Sequence, residues 1–155
     1  MSVIELHQPA ANIIELSTVG PAFEGLASAS SAITVDVALT NANQVYDVTS
    51  VSLTAGTWLV VAQCQFYAAT SGVTSYTARL LNVSTGAVLS SSSSMHPSQA
   101  GGVGNSNMGT LVTLTATTTI KLQATASVSS RTVRYLSAPG NYDNATCIQA
   151  VRISP

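Results

Sequence analysis

Thr57-Trp58-Leu59-Val60-Val61-Ala62-Gln63-Cys64-Gln65-Phe66-Tyr67-Ala68 decides the fold class of this chain. Trp58, Val60, Ala62, Cys64, Phe66 and Ala68 fill one set of alternate positions, and Leu59, Val61, Gln63, Gln65 and Tyr67 fill the other. Successive side chains of an extended strand point to opposite faces, so this period of two specifies a β-strand. The first set is apolar or small throughout and belongs in a core, with Trp58, Val60, Cys64 and Phe66 as its main members. The second set is half apolar, which predicts partial burial of both faces.

Working outward, further strand signals recur between turn residues, and no segment carries a 3.6-residue apolar period. Val35, Val37 and Leu39 alternate with Asp36 and Ala38. Tyr76–Leu81 and Ala87–Ser90 flank Ser84-Thr85-Gly86, a hairpin turn. Thr110–Thr115 and Thr119–Ala126 form a second expected pair, in which Ile120, Leu122, Ala124 and Ala126 share a face. Arg131–Leu136 is an expected strand, followed by a Pro139-Gly140-Asn141 turn, and Thr146–Ile153 is the last. For that last strand two inward sets fit the alternation, Cys147/Val151/Ile153 or Ile148/Ala150. With short pieces around Tyr46–Val51, the count is about eight or nine strands.

Two stretches depart from this pattern. Ser90–Asn107 is serine- and glycine-rich and is expected to be a long exposed loop carrying His96, Asn105 and Asn107, because it buries too little apolar surface to offset its ordering entropy. Residues 1–32 hold Val3, Ile4, Leu6, Ile13, Ile14, Leu16 and Val19 without clean alternation and are interrupted by Pro9 and Pro21. An extended arm that finds its partners on another surface fits this composition; a pair of early strands within the domain is the alternative. The expected organisation is therefore an arm over 1–32 and one β domain over 33–155.

Composition narrows the function. Charged residues are 7% of the 155, against roughly 25% in ordinary soluble domains. The net charge of −1 favours neither nucleic acid nor an anionic membrane as partner. A surface with so little self-repulsion suits a protein whose outside is largely covered by neighbouring subunits. Residues 1–77 carry −5 and no cation, whereas 78–155 carry +4. Either this is chance among eleven charges or an acidic N-terminal segment lies on a basic patch. Met1–Glu5 lacks the basic and apolar regions of a secretory signal, and no apolar run approaches the ~18 residues of a membrane span. Without such a signal, the glycosylation-like triplets at Asn82 and Asn144 are expected to be chance matches.

Residues that carry chemistry are sparse. His7 and His96 have no second ligand or acid nearby, and a zinc site needs three or four converging ligands, so no metal or other cofactor is expected. Cys64 and Cys147 lack a CxxC spacing; Cys64 suits a buried apolar position, and a Cys64–Cys147 disulfide is the other option. The serine run has no GxSxG elbow, six acids leave little for a glycosidase pair, and Gly101-Gly102-Val103-Gly104 fits no phosphate loop. Asn141, Asp143 and Asn144 supply too little charge for a strong calcium site. Asn105, Ser106 and Asn107 with Tyr142 have the residue types of a carbohydrate-binding loop tip, although polar loops more often serve structure. No catalytic residue is assigned, and the chain is expected not to be an enzyme.

Leu53-Thr54-Ala55-Gly56-Thr57-Trp58-Leu59-Val60 resembles the "L-x-A-G-x-[aromatic]-x-V" signature of jelly rolls of the complement-globular-head and tumour-necrosis-factor type. Ala145–Ile153 resembles their closing strand, "A-x-x-x-x-A-x-R-I". The resemblance covers about 33–155 and implies an all-β, two-sheet antiparallel jelly-roll sandwich of about eight strands, usually a homotrimer. The form is frequent in bacteriophage virion proteins. A small jelly roll with a short extended N-terminal arm resembles a capsid decoration, or cement, protein on the outer surface of the virion. Its partners would be its own copies and the major capsid protein, contacted through Val3, Ile4, Leu6, Ile13, Ile14 and Leu16. The alternative is a receptor- or glycan-binding knob of a tail or head fibre, and an enzyme on the same scaffold fits least.

Overall fold

The computed structural model describes residues 27–69, 71–96, 101–137, 142–143 and 146–155. The elements described there are all strands: β1 (Ser28–Ala32), β2 (Val37–Leu39), β3 (Tyr46–Leu53), β4 (Gly56–Ala68), β5 (Thr74–Asn82), β6 (Val88–His96), β7 (Gly102–Leu114), β8 (Thr118–Ala126), β9 (Arg131–Val133), β10 (Leu136–Ser137), β11 (Tyr142–Asp143) and β12 (Cys147–Ser154). Eight of these described strands have five or more residues.

The alternating stretch Thr57–Ala68 lies in β4, the axis of the first sheet. Along one edge β4 pairs antiparallel with β7 over its full length, from Gly56 opposite Leu114 to Ala68 opposite Gly102. Its other edge is shared between β12, from Thr57 to Gln63, and β9, at Phe66 and Tyr67. β1 lies outside β12 and β2 outside β9. The second sheet runs β3-β8-β5-β6, and β10 and β11 form a separate two-stranded ribbon. The chain is an all-β, two-sheet antiparallel jelly-roll sandwich.

The core lies between the inward faces. Trp58, Val60, Cys64 and Phe66 of β4 are buried, with Tyr76, Ala78 and Leu80 of β5 and Ile120, Leu122 and Ala124 of β8. Phe66 stacks on Tyr76 with ring centroids 4.5 Å apart, tying the two sheets together. Each large side chain buried this way contributes roughly 1.5–3 kcal/mol, so the two-residue alternation is itself the main stabilising device. The Trp58 indole N–H donates to the Thr54 carbonyl at 2.9 Å, satisfying the one polar atom of that ring and bracing the turn before β4.

Gly56 explains why the two sequence signatures occur together. Its φ of +130° disfavours any residue with a Cβ, and a Cβ there would collide with Arg152 Nε and lie 2.7 Å from the Ser154 carbonyl oxygen. Arg152 pairs with Trp58 at the neighbouring register position. The Ala-Gly turn and the Arg-Ile ending are thus two sides of one packed corner.

Several expectations are corrected. Ser90–Asn107, expected to be a loop, is mostly strand: β6 pairs with β5 and β7 with β4, leaving only a short connection. Backbone hydrogen bonds to a long neighbouring strand are available whatever the side chains, and a serine-rich strand suits a sheet edge with one wet face. His96 therefore ends β6 opposite Thr74, while Asn105 and Asn107 are exposed residues of β7 and not of a loop. Ser28–Ala32, expected at the end of an arm, is a strand bonded to β12. Arg131–Leu136 divides into β9 and β10. In β12 the inward pair is Ile148 and Ala150, both buried.

Candidate assembly interface

The register of the first sheet aligns apolar residues on its outward side. Leu59 stands opposite both Leu111 of β7 and Val151 of β12, so three aliphatic side chains cross three strands in one row. The next row is Gly109, Val61 and Gln149, and the one beyond it is Asn107, Gln63 and Cys147. Ser28, Ser30 and Ala32 of β1 continue these rows to the edge. None of these residues is charged. Leu59, Val61, Leu111, Val151 and Ile153 remain 39–63% exposed, a clustering unlike the single apolar residues scattered over ordinary surfaces.

A groove of about 550 Å³ runs across this face, lined by Val61, Gln63, Asn107, Gly109, Cys147 and Gln149 among others. Its floor is low because Gly109 presents no side chain beside Val61. Amide groups along its polar side offer donors and acceptors, and Gln65 Nε2 donates to Asn105 Oδ1 at 3.2 Å at the far end. Such a surface can hold an apolar partner and fix its register; it offers no nucleophile–base pair.

The cysteines fall on opposite sides of the sheet. Cys64 points into the core, where burial pushes its thiol far above the usual range. Cys147 is opposite Gln63, on the outward side, and burial also raises its thiol, against a backbone hydrogen bond at Gln63. Both are free thiols, and this divergence rules out the intramolecular disulfide held open above.

The remaining candidates are dispersed. Val3, Ile4, Leu6, Ile13, Ile14 and Leu16, with His7, lie outside the described residues. Tyr142 belongs to the β10–β11 ribbon, a separate sheet from the one that holds Asn105 and Asn107 of β7. The cations form no single patch. Arg131 is buried, its Nε donating to Thr74 Oγ1 at 3.1 Å; Arg134 lies 4.6 Å from the Tyr67 ring centre; Lys121 pairs with Asp47. Asn82 is buried and its Oδ1 accepts from the Ser84 and Thr85 amides, so this triplet is spent on capping a turn. Among the described residues no three His, Cys, Asp or Glu side chains gather as metal ligands.

Leu111, Val151, Ile153, Gly109 and Gln149 were not singled out by sequence reasoning as contact residues. Their signal was the half-apolar second face of Thr57–Ala68, but the register that brings the other strands beside it is not written locally.

No protein-family model matches the chain, and no curated protein matches it in sequence. Solved structures do resemble it. One is the Eiger TNF of S. frugiperda, at 13% identity, covering 83% of this chain and 92% of that one with a TM-score of 0.53. Another is murine APRIL, at 9% identity, covering 81% and 98% with a TM-score of 0.52. A looser likeness, at 15% identity and a TM-score of 0.49, is to a chain of infectious bursal disease virus, of which only 38% is covered. The first two likenesses, with the sheet order above, establish the fold as a tumour-necrosis-factor-like jelly roll.

Proposed function

We propose that this chain is a non-catalytic bacteriophage structural protein that assembles as a homotrimer and decorates the outer capsid surface. The uncharged, exposed apolar rows across β7, β4 and β12 carry the reading. From strand spacing and rise, β4, β7, β12 and β1 present roughly 600–700 Å² of sheet before side-chain relief is counted. That approaches the roughly 800 Å² per partner of a standard interface. The resemblance to trimeric jelly rolls supports three copies, and so does the low charge, which leaves little repulsion between them. The segment before β1, with Val3, Ile4, Leu6, Ile13, Ile14 and Leu16, would reach the major capsid protein; an extended segment adds backbone pairing to a neighbour's sheet edge.

Light scattering of the purified chain, alone and mixed with empty phage heads, tests both parts. The expected mass is three times 15.8 kDa, with co-sedimentation on heads. Removing residues 1–26, which spares β1, should abolish attachment and keep the β fold. A monomer that ignores heads, or a truncated protein that still binds them, would overturn the proposal.

A further inference from the structure

The outward face of the second sheet holds an arginine that the fold has oriented and not neutralised. Arg79 Nε donates to Gln123 Oε1 at 2.9 Å, and Gln123 Nε2 donates in turn to Asp47 Oδ1 at 2.6 Å. Lys121 donates to the other carboxylate oxygen of Asp47. Asp47 is thereby matched by Lys121, while Gln123, held at its nitrogen end, turns its oxygen to Arg79. The cluster keeps one net positive charge, and the terminal nitrogens of Arg79 have no acceptor among the described residues.

Hydroxyl groups surround this fork. Ser91 stands directly opposite Arg79 across β5 and β6, and the Thr77 and Ser93 hydroxyls of the adjacent row are 3.0 Å apart. A hollow of about 80 Å³ lies alongside, lined by Val45, Thr77, Arg79, Gln123, Ala124 and Thr125. Thr125 Oγ1 is buried at its rim with no hydrogen-bond partner, a state that native structures rarely leave unsatisfied.

We propose that this face binds a carboxylate-bearing sugar, with Arg79 taking the carboxylate and the flanking serine and threonine hydroxyls taking the sugar hydroxyls. A guanidinium fork matches a planar carboxylate in two parallel hydrogen bonds. One net positive charge is balanced by a monoanion, whereas a phosphate dianion would leave an excess negative charge beside Asp47. The hollow is roomy enough for water that one edge of a pyranose ring would displace, and Thr125 turning about χ1 would meet a ligand oxygen. The site lies on the opposite side of the sandwich from the assembly face and does not depend on it.

Titrating the isotope-labelled full chain with D-glucuronate, D-glucose and acetate, followed by NMR, tests this. Glucuronate should saturably shift Arg79 Nε and the Thr77, Ser91 and Thr125 amides, and glucose should leave them unmoved. R79Q, checked for retained strand dispersion, should weaken glucuronate at least about tenfold. S91A should weaken glucuronate a few-fold and leave acetate unchanged. No shift near Arg79, or undiminished binding by R79Q, would overturn the site; acetate binding as tightly as glucuronate would overturn the sugar assignment.

Discussion

The two sheets share a core and differ on their outsides. The first presents the Leu111–Leu59–Val151 row, Val61 and Ile153, with Arg134 set apart over the Tyr67 ring beside β9. The second, in the same outward positions, presents mainly Ser50, Ser52, Thr77, Arg79, Lys121, Gln123 and Ser93, cross-linked by the Asp47–Lys121 ion pair and side-chain hydrogen bonds, with Val88 and Met95 exposed singly toward the ends of its edge strand. Both surfaces lie on strands of similar inward composition, so the fold does not require the contrast. A sandwich that faced water on both sides would gain solubility from two polar exteriors. On the proposed reading, that asymmetry turns the first sheet toward a neighbouring copy and leaves the second open to solvent and small ligands.

The largest effect is expected from a charge placed on each side in turn. Leu59→Glu would bury an unpaired carboxylate in an assembled interface, and its mass by light scattering should fall to 15.8 kDa. Ser52→Glu, on the polar side, should leave the mass unchanged; if both variants behave alike, the contrast has no role in assembly. A second comparison sets one glycine of each sheet against the other. Gly56→Ala combines a strained φ with a collision at Arg152 and should cost about 2–4 kcal/mol by urea denaturation. Gly86→Ala, at φ +70° with open space around it, should cost about 1–2 kcal/mol.

Thiol labelling follows, with a smaller signal. In dilute protein Cys147 should react slowly at mildly alkaline pH, Cys64 should stay silent until unfolding, and assembly should protect Cys147 as well. Reaction of Cys147 at an unchanged rate in the assembled protein would place the interface elsewhere. The smallest effect concerns Asp47, whose carboxylate is held below the ordinary range first by the Gln123 amide and then by Lys121. A depressed folded pKa stabilises above the unfolded value and ceases to do so as pH falls through the folded one. Asp47→Asn should therefore lose well under about 1 kcal/mol at neutral pH, since solvent screens the group, and nothing at strongly acidic pH.

Much of the sandwich was legible in the chain. The period of two in Thr57–Ala68 and Thr119–Ala126 reports burial directly, because a pleated strand sends alternate residues to opposite sides. Gly56 and Arg152 stood out as parts of separate signatures, although the corner they share became visible only when β4 and β12 lay side by side. Ser90–Asn107 misled because its side chains are polar, and polarity does not distinguish a loop from an edge strand whose backbone finds a partner. For β12, both alternating sets were plausible as core.

Local alternation, then, carried the class of the protein, the identity of its central strand and most of its buried residues. Long-range pairing settled which set of β12 faces inward, that Cys64 and Cys147 diverge, that Leu59, Leu111 and Val151 form one row, and that Arg79 is held by Gln123. The physical reason is that burial is encoded residue by residue along a strand, whereas register is chosen among strands far apart in sequence. A slip of one residue exchanges the two faces completely.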